Sequence, residues 1–140
     1  MTSVHPFSVH FPVALLTVAA VLELVAWISG RDEYSRAGWW NQLAGSFGLA
    51  AAVLSGLSAE KAARIGADAA EMFGTHQQVA FAASVVFALL LFWRIGARTR
   101  IPPNHRLLYL VLFVAGVILL LTGAWYGGEL VFRFGVRPAV

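Results

Sequence analysis

No cysteine occurs in the 140 residues, which excludes disulfides, thiolate metal sites, a thiol nucleophile and covalent c-type haem attachment. Charge is scarce as well. Only 12% of residues are Asp, Glu, Lys or Arg against 59% hydrophobic, too few to cover a water-soluble domain of this length. There is no Gly-rich phosphate loop, no plausible Ser-His-Asp set and no zinc-protease spacing, so soluble-enzyme catalysis is not supported. The ten basic residues and net charge of +3 include no basic groove with interleaved aromatics, so nucleic acid is not an expected partner.

What is present is apolar sequence in long runs, with the charges swept between them and a mean hydropathy of +0.75. Lipid is the solvent such runs require. Four spans are expected, over residues 11–29, 38–57, 75–95 and 106–126. The first, about 19 residues at 1.5 Å each, reaches roughly 28 Å, the thickness of a hydrocarbon core. No Lys or Arg precedes it and Glu23 lies in its second half, so it reads as a retained span and not a secretory signal. Pro12 is placed in its first turn, starting the helix near His10.

Small side chains recur every fourth residue in span two, at Ala44, Gly48, Ala52 and Gly56, and in span three, at Ala80, Ser84 and Ala88 below His76. Such spacing lets helix backbones approach closely in lipid. Gly74-Thr75 suggests a cap for span three, and Gly127-Gly128 a loosening or the end of span four. Residues 59–74 alternate charged and apolar side chains, the pattern of a short interfacial helix between spans two and three. The expected fold is all-α: an integral membrane four-helix bundle forming a single domain over residues 1–140.

An even number of spans leaves both termini on one face. The opposite face carries Arg31, Arg36, Arg94, Arg98, Arg100 and Arg106, against Lys61, Arg64, Arg133 and Arg137 on the terminal face. The excess predicts both termini outside the cytoplasm. Trp27, Tyr34, Trp39, Trp40, Trp93 and Tyr109 fit an aromatic belt at the cytoplasmic interface, and Trp125 with Tyr126 one at the outer interface.

Polar groups inside this frame are the candidates for chemistry. His5, His10 and His76, with Glu60 and Glu129, fall at the outer end of the bundle. Imidazoles from two helices are what a non-covalent b-type haem requires, and His10 with His76 would be its axial pair. A metal held by His5, His10, His76 and Glu129 is a second option, since imidazole with carboxylate suits zinc or copper. His5 and His10 lie about 140° apart round an ideal helix, so both reach one ion only if the chain bends at Pro6 or Pro12. A quinone headgroup site, or plain hydration at the interface, is a third. Separately, Glu23 lies roughly 20 Å below His10, inside the hydrocarbon, where an acid must be neutral or paired. Arg94 is the expected partner of this intramembrane ion pair, with Asn41 and Gln42 as alternatives.

The residues His5-Pro6, then Val9-His10-Phe11-Pro12-Val13-Ala14-Leu15-Leu16, Ser55-Gly56-Leu57, His76, and the closing Gly127-Gly128-Glu129-Leu130-Val131-Phe132-Arg133-Phe134-Gly135-Val136 resemble a bacterial membrane family known as domain of unknown function 2231. The resemblance covers nearly the whole chain. It implies a four-span bundle in the bacterial cytoplasmic membrane, sometimes joined to redox domains such as Rieske iron–sulfur modules, and so favours electron transfer over transport. The family's ending often carries a His where Phe134 stands and a Gly where Arg137 stands, which throws weight onto His10 and His76. The leading expectation is a haem b electron-transfer subunit working with a quinol or a redox partner. The rival is a cofactor-free accessory or anchor subunit of a larger membrane complex.

Overall fold

The computed structural model describes the backbone of residues 4–60 and 65–136 and the side chains of 9–58 and 65–136. Four long α-helices account for nearly all of it: α1 (Val4–Ser29), α2 (Asp32–Glu60), α3 (Ala70–Gly96) and α4 (Arg106–Phe132), with a single 3₁₀ turn at Pro103–His105. They form a ring in chain order. α1 packs on α2, α2 on α3, α3 on α4 and α4 back on α1, while the diagonal pairs make no backbone approach. Three stretches, Val9–Ser29, Ala70–Gly96 and Pro103–Phe132, are long and apolar enough to cross a membrane. α2 is not among them, because Asn41, Gln42 and a run of Gly, Ala and Ser dilute its apolar character.

The turn between α1 and α2 is two residues long. Gly30 ends α1 at φ +68°, a left-handed conformation that costs glycine little, and its N–H donates to the Ala26 carbonyl. Asp32 and Glu33 then open α2, where acids favour the positive end of the helix dipole.

The two helices run antiparallel at close range, as three glycines of α2 record. A Cβ on Gly38 would meet the Glu23 carboxylate, one on Gly45 would lie 2.7 Å from Leu16 Cγ, and one on Gly48 would lie 3.4 Å from Pro12 Cδ. Pro12 therefore sits well inside α1, fully buried, and not in a first turn near His10 as expected. Gly48 gives its ring room, and helix partners of this kind are what let proline persist in membrane helices.

Between α3 and α4 the core is aromatic. Phe87 meets Phe113 edge to face at 5.5 Å, Phe113 meets Tyr109 at 5.7 Å, and Tyr109 meets Trp93 at 5.8 Å, an arrangement suited to ring quadrupoles. Leu16, Ala19, Leu49, Ala83, Leu90 and Leu120 fill the rest. Large apolar side chains such as Phe47, Phe81, Leu89, Phe92 and Ile118 point outward, as lipid-facing positions should.

Several expected boundaries shift. α3 starts at Ala70, before the proposed Gly74-Thr75 cap, and α4 runs through Gly127-Gly128 to Phe132. Residues 65–69 are turn and coil, so among the described residues no separate interfacial helix occupies 59–74. α2 carries the chain to Glu60 and α3 takes it up again at Ala70. The side chains of Glu60, Lys61, Arg64 and Arg137 lie outside those described.

Candidate functional site

The end of the ring that holds the α1–α2 turn and the α3–α4 loop, here termed the hairpin end, contains a buried polar cluster. Glu23 of α1 and Arg94 of α3 form an ion pair across the ring diagonal, Arg94 Nη1 donating to Glu23 Oε1, with both residues under 5% exposed. The two residues expected to pair are thus brought into contact. Of its two alternatives, Gln42 joins it while Asn41 turns away, donating through Nδ2 to the Ala37 carbonyl.

Every guanidinium nitrogen is engaged. Nη2 donates to the Ser35 carbonyl at 2.6 Å and to Ser35 Oγ at 3.1 Å, Nη1 reaches Gln42 Oε1 at 3.3 Å, and Nε donates to the Thr99 carbonyl at 3.2 Å. Ser35 Oγ sits 3.2–3.3 Å from both Glu23 oxygens, and Tyr109 donates its hydroxyl proton to Gln42 Oε1 at 2.6 Å. The guanidinium also lies 5.5 Å from the centre of the Trp39 ring and 5.9 Å from that of Tyr109, positions that favour a cation. A charge pair in hydrocarbon is tolerated only when satisfied to this degree.

All four helices contribute: Glu23 from α1, Ser35 and Gln42 from α2, Arg94 from α3 and Tyr109 from α4. Arg94 also shapes the α3–α4 loop. Arg98 and Thr99 follow α3 with positive φ, 50° and 68°, an uncommon state for a β-branched residue. It is held there by two bonds to Arg94, since Thr99 N–H donates to the Arg94 carbonyl at 2.8 Å while the Thr99 carbonyl takes the Nε proton.

Sequence reasoning missed Ser35, Trp39, Thr99 and Tyr109. Tyr109 read as a member of the aromatic belt, yet it is 1% exposed and belongs to the cluster. Its depth was legible and its direction was not.

At the opposite, terminal end, His76 is half-buried against α4. Its Nδ1 lies 2.9 Å from the Gly123 carbonyl, and because a carbonyl only accepts, Nδ1 carries the proton. Gly127 makes room for the ring, since a Cβ there would come within 3.2 Å of Cε1. The helix interior at Gly127, where a break was expected, therefore holds a packing contact.

His10 stands on the outward edge of α1 with Phe11, Ala14, Val18 and Val21, and lines an open apolar groove with Phe11, Ala14 and Leu15. The 3.6-residue period places it about 150° round the helix from the edge that buries Pro12, Leu16, Ala19 and Glu23. The expected axial pair is accordingly not drawn together: α1 and α3 are diagonal, His76 packs on α4 and His10 faces outward. For the alternative metal set, no three of His, Asp or Glu converge among the described residues. Glu129 is half-buried on α4, and the His5 side chain lies outside those described.

Three apolar stretches of membrane-crossing length and an ion pair enclosed by all four helices define the class: an all-helical integral membrane protein. The chain belongs to the family described as Predicted membrane protein (DUF2231), whose model matches residues 1–139. No curated protein and no solved structure matches it.

Proposed function

We propose that this chain is a four-span membrane subunit that acts by lateral assembly, with α2 as the face it offers to another membrane protein. The observation that carries the reading is the antiparallel register of α1 and α2. Gly38, Gly45 and Gly48 pair in reverse order with Glu23, Leu16 and Pro12, all within the apolar stretch Val9–Ser29. If α1 crosses the bilayer, α2 runs back through the same slab.

α2 does so as the least apolar of the four helices in composition. Its flank beside α1 presents Ala37, Asn41, Ala44, Gly48, Ala51, Ser55 and Ser58, alternately four and three residues apart, none of them fully buried. That spacing is a helix–helix seam, and small or hydrogen-bonding residues along such a seam favour packing against protein over lipid. The bacterial cytoplasmic membrane, with both termini outside, completes the proposal. Arg94 is interior and so no headgroup-facing charge, yet the hairpin end keeps Arg31, Arg36, Arg98, Arg100 and Arg106.

The chain's lack of cysteine makes the test clean. Ala44→Cys and Ala51→Cys variants, labelled with a maleimide-benzophenone and irradiated in native membranes so that the ketone inserts into a neighbour's C–H bond, are expected to yield a cross-linked product, while Leu89→Cys on the outward face of α3 yields none. Absence of any product at both α2 positions, together with a monomeric chain after mild-detergent purification, contradicts lateral assembly.

One observation favours a second reading, a haem b electron-transfer subunit. Donation from His76 Nδ1 to the Gly123 carbonyl leaves Nε2 with the lone pair, the orientation that backbone carbonyls impose on ligating histidines. His76 would then be an axial ligand, with its partner other than an inward-facing His10. Reduced-minus-oxidised absorption of haem-replete protein tests this: b-type bands lost in His76→Ala support it, and a flat spectrum removes it.

A further inference from the structure

The polar cluster of the hairpin end has one loose end. Gln42 is fully buried, and its Oε1 takes the Tyr109 hydroxyl proton at 2.6 Å and an Arg94 Nη1 proton at 3.3 Å. These two donors fix the amide, because the reverse orientation would set Nε2 against a guanidinium that can only donate. Nε2 therefore points away from the ion pair, buried and with no acceptor among the described residues. One helical turn further along α2, Ser46 Oγ is buried and equally without a partner. Residues four apart lie on one helix face with their Cβ atoms roughly 6 Å from each other, so the two unpartnered groups belong to neighbouring turns of the same face. In a protein surrounded by lipid no bulk solvent can satisfy either group.

We propose that a water molecule is bound inside the helix ring between Gln42 Nε2 and Ser46 Oγ, accepting from the amide and sharing a hydrogen bond with the hydroxyl. Water suits both groups, since it accepts from Nε2 and either accepts from or donates to Oγ. A cation does not suit, because Nε2 only donates. An anion does not either, because the one nearby positive charge, Arg94, is already matched by Glu23. The site carries the polar column of Ser35, Gln42 and Ser46 one turn deeper along α2. It ends where Leu49 joins the aliphatic and aromatic core.

The test is water-to-amide cross-relaxation by NMR on nanodisc-embedded protein labelled with ¹⁵N-glutamine, the Gln42 side chain being assigned by its loss in Gln42→Met. A water cross-peak at the Gln42 side-chain amide is expected, strongly reduced in Ser46→Ala and retained in Ser46→Thr. Thermal unfolding of Ser46→Ala is expected a few degrees below that of the parent. Absence of the cross-peak in the parent protein overturns the proposal, and that measurement needs no variant to fold. A cross-peak unchanged in Ser46→Ala overturns the placement against Ser46, as does a Ser46→Ala variant that melts at or above the parent temperature.

Discussion

At the scale of single residues the cost of burying charge in hydrocarbon governs the structure. Glu23 was legible from the sequence because an acid so deep in an apolar run has to find a partner, and Arg94 was the one cation at a matching depth. Ser35 and Thr99 carried no such signal: each contributes through a hydroxyl or carbonyl that only the folded chain brings to the guanidinium. Removing either charge leaves the other buried and alone. Glu23→Gln and Arg94→Gln are each expected to lower stability by about 3–5 kcal/mol, with Arg94→Gln the larger because it also strands Ser35, Gln42 and the Thr99 carbonyl. The double variant should fall well short of the sum, and additive effects in a thermal or steric-trapping cycle would dissolve the pairing. Tyr109→Phe deletes the hydrogen bond donated to Gln42 and the longer one accepted from Arg94 while keeping the ring among Phe113 and Trp93, so a loss of about 1–2 kcal/mol is expected by the same measurement.

Helix boundaries follow from what each glycine and proline faces, which composition cannot disclose. Gly127-Gly128 and Gly74-Thr75 look like stops because glycine weakens an isolated helix, and Pro12 looks like a start because its ring excludes a backbone bond. In the folded ring Gly127 receives the His76 imidazole and Gly48 receives the Pro12 ring, so interhelical contact outweighs local propensity. The same contrast yields a prediction of opposite signs. Gly45→Ala drives a Cβ to within 2.7 Å of Leu16 Cγ, and overpacking of this kind costs about 1–3 kcal/mol. Gly74→Ala meets nothing within 4 Å in the interior of α3 and should gain about 0.5–1 kcal/mol from its better helix propensity. Melting curves of the two variants in one detergent check both; a Gly45→Ala variant as stable as the parent would show that α1 and α2 are not in close contact.

For the molecule as a whole, the all-helical class, the membrane character and the family were all readable from apolar runs and the terminal motifs. The order of helices round the ring was not, because equal spans can close in more than one order. That order decides what the histidines do. His10 and His76 share a level by topology, yet they stand on diagonal helices, one ring facing outward and the other against α4, so shared depth did not become a shared site. Small-residue spacing was likewise visible in α2. Only the coordinates divide it into Gly38, Gly45 and Gly48, spent on α1, and the flank positions Ala37, Ala44, Ala51 and Ser58, which stay exposed.

The central claim is that α2 crosses the bilayer although its composition alone does not demand it. Single cysteines at Arg31, in the α1–α2 turn, and at Ala67, in the α2–α3 connection, labelled with a membrane-impermeant maleimide in sealed, oriented vesicles, test it most directly. Four crossings require Arg31→Cys and Ala67→Cys to react from opposite sides of the membrane. Reaction of both from the same side would mean that α2 lies along the surface, and would contradict the account.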